Sequence, residues 1–173
     1  MSKAVLISIR PQWCQKIASG EKTIEIRKTR PKLETPFKCY IYCTRDKHLA
    51  FMQNQTGTNL IACMDVDAAI PVGGAIGNGK VIGEFTCDRI DRLTPADEPY
   101  GIYDIGDDYV LQTCLENGAL WDYGHGTPLY GWHISDLRIY DTPKELSEFK
   151  TLCRVDADCC ACPYYNYTKM DCD

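Results

Sequence analysis

Gly20-Glu-Lys-Thr-Ile-Glu-Ile-Arg27 is the stretch on which the reading of this chain turns. Across residues 22–28, Thr23, Glu25 and Arg27 fall on one side and Ile24 and Ile26 on the other. That is the two-residue period of a strand with one buried face. Upstream, residues 3–9 alternate and are β-rich, which predicts a strand ending before Arg10. Pro11 then opens a short helix, because a missing N–H costs nothing at the first helical position. Trp13, Cys14 and Ile17 share the inner face of that helix, and Gly20 ends it.

Downstream, residues 30–35 hold two prolines and read as a loop, and residues 37–44 read as a strand centred on Tyr40, Ile41 and Tyr42. Residues 45–79 are the least regular part, and the glycine-rich stretch 72–79 reads as a mobile connection able to lie over a cleft. It matches neither Gly-x-x-x-x-Gly-Lys-Ser/Thr nor Gly-x-Gly-x-x-Gly. Residues 80–90 return to strand. Residues 107–117 show helical spacing with Gly118 as a stop, residues 130–140 form a late strand, and Pro143 starts a helix through Phe149. Strands outnumber long helices. The expected class is α+β, mainly β: a small mixed or antiparallel β-barrel with a few flanking helices.

A chain of 173 residues that is 45% hydrophobic supports one ordinary domain, taken as 1–150, with a cysteine-rich acidic tail at 151–173. No run of 18 or more apolar residues is present. The opening segment reads as a strand rather than a signal peptide, so the expected location is the cytoplasm. The net charge is -5, but residues 1–50 carry 11 Lys/Arg against 4 Asp/Glu. This asymmetry predicts one electropositive face on an acidic body.

The stretch 20–27, preceded by Ser8-Ile-Arg10 and a helix, resembles the ASCH family of the PUA-like superfamily, whose signature includes Gly-x-Lys-Thr-x-x-x-Arg. Gly131-Trp-His-Ile-Ser-Asp-Leu-Arg-Ile-Tyr140 and the residues up to Phe149 are similar to the closing strand and helix of phage and prophage members. The resemblance spans roughly residues 3–150. It implies a PUA-like barrel that binds RNA or a nucleotide in a basic cleft. It also implies, as an alternative, a hydrolase in the same cleft: a ribonuclease, or an amidohydrolase acting on an acylated cytidine. Such amidohydrolases use the motif lysine, a threonine three residues later and a distant glutamate. Here the lysine is Lys22, the position three later is Glu25, and Glu98 is a candidate for the glutamate only because it is acidic and lies beyond the fourth strand. A third implication is a phage-associated module that binds a protein through the acidic half.

Physically, Arg10 and Arg27 offer planar forks for a phosphate, and Lys22 offers a compact charge or, if desolvated, a base. Glu25 can accept from an exocyclic amine or act as a base. In the enzyme reading Lys22, Thr23 and Glu25 are the catalytic group. Trp13 and Tyr40 are candidate stacking surfaces for a base, weighed against ordinary core packing. His133 reads as a hydrogen-bonded structural histidine, and His125 sits in the flexible-looking Tyr123-Gly-His-Gly126. Among the 11 cysteines, Cys39 and Cys43 read as packed thiols. Cys153, Cys159, Cys160, Cys162 and Cys172 cluster in the tail as candidate ligands for one structural zinc, although their spacing is not that of paired zinc knuckles.

Overall fold

A proline that starts a helix directly after a strand sets the first turn of the architecture. In a computed structural model, β1 (Ala4–Ile9) ends at Arg10, and α1 (Pro11–Ala18) begins with Pro11 at its first position. Cys14 and Ile17 on its inner face are fully buried, and Trp13 packs partly buried beside them. Gly20 takes a φ of 80°, a left-handed conformation that glycine adopts without steric cost. The chain continues through β2 (Ile24–Arg27), β3 (Phe37–Cys43), β4 (Ala50–Gln53), β5 (Leu60–Cys63), β6 (Ala75–Ile76) and β7 (Lys80–Leu93). Then follow α2 (Asp107–Thr113), α3 (Asn117–Gly124), β8 (Leu129–Glu145), a 3-10 turn at Leu146–Glu148, β9 (Lys150–Thr151) and β10 (Tyr167–Lys169). The structure describes residues 4–53, 60–63, 74–96, 101–151 and 167–169.

One sheet has the order β2-β8-β7-β3-β1-β10-β9. Its first five strands curl into a half-barrel with the helices around it, so the expected mainly-β, mixed-sheet class holds. β1 and β3 run parallel, while β3–β7, β7–β8 and β8–β2 are antiparallel. The short strands β9 and β10 extend the sheet beyond β1.

Several sequence expectations need correction. The irregular region 45–79 contains a second, three-stranded sheet, β5-β4-β6. Its strands are two to four residues long, too short for their period to be read. The glycine-rich stretch contributes β6, and its residues 72 and 73 lie outside the described residues. Gly77 is boxed in, since a Cβ there would stand 2.6 Å from Ile82 and 2.7 Å from Phe51. The single helix expected at 107–117 is two. Cys114 turns left-handed at φ 55° and ends α2, and Gly118 lies inside α3. Pro143 opens no helix: β8 runs through it to Glu145.

Two cores flank the β2–β8 ribbon. The larger joins β1, α1, β3 and β7 around Ile7, Cys14, Ile41, Phe85 and Trp132. The smaller gathers Ile24, Ile26, Leu93, Tyr103, Leu120 and Leu129. Cys14, Cys39, Cys43 and Cys87 are fully buried, as expected of packed thiols in this composition. Burial pushes the Cys87 thiol up to about 12, assisted by the neighbouring Asp88 charge, so it stays protonated at neutral pH.

Gly131 on β8 is where α2 meets the sheet. A Cβ there would fall 1.8 Å from the Tyr109 hydroxyl and 3.0 Å from Ile24. That hydroxyl is buried, and burial together with the Asp91 carboxylate near it raises its pKa. Gly131→Ala therefore forces α2 outward and should cost about 1–3 kcal/mol, the usual range for overpacking. Adding Tyr109→Phe to it removes the colliding oxygen and should recover part of that loss. Chemical denaturation of the single and double variants checks this, and equal stability of Gly131→Ala and wild type counts against it.

Candidate functional site

Lys22 lies in the turn before β2, so the strand alternation that would separate it from Glu25 has not yet begun. The two side chains meet: Nζ is 3.5 Å from Glu25 Oε2. Both are buried, with Lys22 only 2% and Glu25 7% exposed. The expected solvent face of β2 is thus a partly closed polar pocket. Lys22 Nζ also donates to the Thr113 carbonyl at 2.6 Å and lies 5.2 Å from the centre of the Trp13 ring. Thr113 is the last residue of α2, where the helix presents carbonyls and partial negative charge to a cation. The backbone N–H of Thr23 donates to Gln112 O at 2.9 Å, so the same helix end also fixes the start of β2.

Burial lowers the Lys22 pKa, and the attraction of Glu25 only partly offsets that loss of hydration. The folded chain therefore holds the Lys22 proton less tightly than the unfolded chain. Over the alkaline window between the lowered and the ordinary lysine values, the unfolded state binds more protons. The Lys22 contribution to stability consequently improves as pH rises through that window.

Arg27 completes the cluster. Its Nη1 donates to Ser8 O at 3.0 Å and lies 3.7 Å from Glu25 Oε1, while its side chain remains 32% exposed. Glu25 thus bridges a buried lysine and a partly exposed arginine. Arg10 is exposed, and its charge acts on Asp46, whose pKa is lowered first by backbone N–H donors from His48 and Leu49. Nothing described ties Arg10 to Lys22. Trp13 packs against the larger core with Lys22 beside its ring, the bland reading for that residue. The Thr23 side chain is half-buried and makes no hydrogen bond with Lys22 or Glu25. Tyr40 is buried in a third apolar cluster with Ala4, Val81, Tyr140 and Phe149, its ring 5.1 Å from that of Phe149. A residue so enclosed is core, and its proposed stacking role does not hold.

Glu98 and the tail cysteines Cys153, Cys159, Cys160, Cys162 and Cys172 lie outside the described residues. Among the described residues, no group of three or more metal-ligating side chains comes together. A cavity of about 420 Å³ lies elsewhere, lined by Glu84, Arg138, Ile139, Tyr140, Asp141, Thr142 and Lys144.

Comparison with solved structures gives this arrangement a context. An ASCH protein from Zymomonas mobilis superposes with a TM-score of 0.53 at 19% identity, over 83% of this chain and 74% of that one. Two single-substitution variants of that protein give 0.50 at 20% identity over 83% of this chain. The fold is similar to that of an ASCH protein. No family model matches the chain, and no curated protein does.

A polar cluster missed by the sequence reading sits on the other side of the β2–β8 ribbon. His133 Nε2 lies 2.6 Å from Asp91 Oδ2 and 2.9 Å from Arg89 Nη2. Arg89 Nε is 3.1 Å from Asp91 Oδ1. Two acceptors would repel at 2.6 Å, so Nε2 carries a proton and donates to Asp91; the guanidinium is then held by Asp91 and not by the imidazole. His133 is a hydrogen-bonded, half-buried histidine. Asp91 and His133 are 42 residues apart, and no spacing signal joins them.

Removing one member of the Lys22–Glu25 pair strands the other. Lys22→Met should cost about 3 kcal/mol, the low end for a broken buried pair because Arg27 still faces Glu25. Combining it with Glu25→Leu should restore most of that loss. Urea denaturation of the two singles and the double decides this, and additive losses in the double would refute a coupled pair.

Proposed function

We propose that this chain is a module that binds single-stranded RNA or a nucleotide through the open end of β2, with Arg27 as the phosphate contact and Glu25 as its orienting partner. The observation that carries the reading is the state of Arg27. Its guanidinium is pinned by the Ser8 carbonyl and Glu25, yet about a third of the side chain faces solvent. A fork fixed on one side and open on the other is preorganised for a phosphate. The likeness of the fold to an ASCH protein agrees with the reading. Lys22 acts from behind: it holds Glu25 in place and touches no ligand. Arg10, at the mouth of α1, adds longer-range attraction.

A second reading, hydrolysis at the same place, has one observation in its favour. Lys22 is desolvated and holds its proton less tightly than an ordinary lysine, as a general base requires. Against it, Nζ is committed to the Thr113 carbonyl.

Titration of labelled oligouridylate at low salt should show binding that weakens as salt rises, since phosphate contacts release counterions. Arg27→Ala should weaken it about tenfold, the value of one charge-assisted contact. Absence of binding by the wild type sinks the reading. Chromatography of acylated cytidine and of RNA after incubation with the protein should show no product. Turnover that Lys22→Ala abolishes establishes the hydrolase instead.

A further inference from the structure

Among the described residues, strand β2 is an outer strand of the seven-stranded sheet, paired with β8 alone. The end of α2 covers its beginning. Two consecutive cations sit where it ends, Arg27 as its last residue and Lys28 in the bend that follows. Arg27 turns towards Ser8. Lys28, exposed, turns towards α3, where its Nζ lies 4.9 Å from the centre of the Tyr123 ring.

Tyr123 is a large ring left 39% exposed on a rigid mount. Behind it, Gly124-His125-Gly126 is no flexible loop. His125 is left-handed at φ 50°, and its N–H donates to Trp121 O at 2.6 Å. Thr127 Oγ1 donates to Gly124 O at 2.6 Å, and the buried Tyr103 hydroxyl donates to Thr127 O at 2.7 Å. A Cβ on Gly124 would lie 1.8 Å from that hydroxyl, so the turn is seated directly on Tyr103. The turn therefore fixes the backbone that carries Tyr123 before any ligand arrives, which lowers the ordering cost of binding.

We infer that Tyr123 is a stacking platform for a nucleobase of single-stranded RNA that crosses the end of β2, with Lys28 contacting the adjoining phosphate. The inference rests on the reading of Arg27 as a phosphate contact and extends it to a second nucleotide. Magnitudes decide what happens to the Lys28 contact. An exposed cation–π pair is worth about 0.5–1 kcal/mol, and a base stacked on an aromatic about 1–3 kcal/mol. The base therefore displaces the ammonium from the ring, and the ammonium moves to the backbone phosphate beside it. A strand so bound has one phosphate on the Arg27 side of β2 and the next base on the Tyr123 side.

Fluorescence anisotropy with hexauridylate, and competition by uridine monophosphate, separate the two levels. Tyr123→Ala should weaken hexauridylate about tenfold, within the range for one lost stack, and leave uridine monophosphate unchanged. Tyr123→Phe should bind as the wild type, because the ring remains. Lys28→Ala should weaken hexauridylate and reduce the slope of log affinity against log salt by about 0.7, one phosphate on a single strand. Wild-type affinity in both Tyr123→Ala and Lys28→Ala, with Arg27→Ala impaired, overturns this inference and leaves the Arg27 reading standing. No hexauridylate binding by the wild type at low salt overturns both.

Discussion

A buried ammonium organises this protein. Lys22 is withdrawn from water almost completely, and an ion moved from water into protein is costly unless its donors are used. Three separate parts of the chain supply what it needs. Glu25 comes from the strand that follows, the Thr113 carbonyl from the end of α2, and the Trp13 ring from α1. Glu25 is three residues away, but Trp13 and Thr113 are brought to Lys22 by the fold. Satisfying one cation therefore fixes how α1, α2 and β2 stand to one another, and that arrangement leaves Arg27 half open at the end of β2.

The second constraint is steric, and it lies on the same ribbon. β8 faces two cores at once, because Trp132 points into the larger and Leu129 into the smaller. Between them, Gly131 leaves the space that the Tyr109 hydroxyl occupies. The pairing of β7 with β8 shifts register at three places, one of them between Cys87 and Ile90. Bulges of this kind bend a strand and re-aim its side chains. Ile90 packs against the larger core, while Arg89 and Asp91 face His133. One short stretch of β7 thus serves both the larger core and the ion cluster at His133.

Much of the frame was legible because its signals are local. Pro11 after an alternating strand marks α1, and Ile24 with Ile26 marks the buried side of β2. The three short strands at 50–76 were not legible, since two to four residues carry no period. The end of β8 misled because Pro143 and the following Lys-Glu-Leu resemble a helix start, whereas pairing of Lys144 with Val81 and Glu145 with Lys80 holds the segment as strand. Of the site, Lys22, Glu25 and Arg27 were named from their pattern, and they meet. What the pattern could not supply was Thr113, 91 residues away and contributing a backbone carbonyl that no side-chain motif encodes. Tyr40 was misplaced because strand alternation tells which residues share a face and not which face is enclosed. His125 looked mobile because glycines flank it, yet one of those glycines is there to let the turn close against Tyr103.

Charge counted along a chain differs from charge on a surface. The basic first fifty residues suggest a broad positive face, but folding places acids beside several of those cations. Lys22 meets Glu25, Lys16 meets Glu21, Lys38 meets Glu84, and Arg10 acts on Asp46. The exposed pairs among these contribute little to stability, about 0–1 kcal/mol each, but they cancel much of the field that a distant polyanion would sense. In the binding mode proposed above, the cations that contact the phosphate chain are Arg27 and Lys28. Arg27 shares Glu25 with Lys22, and Lys28 leans on a ring that carries no charge. Under that proposal, two cations beside an exposed aromatic would suit a short single strand better than a duplex. A duplex presents its phosphates at a fixed spacing, with its bases stacked out of reach, whereas a single strand can place one phosphate and one unstacked base where the side chains already stand.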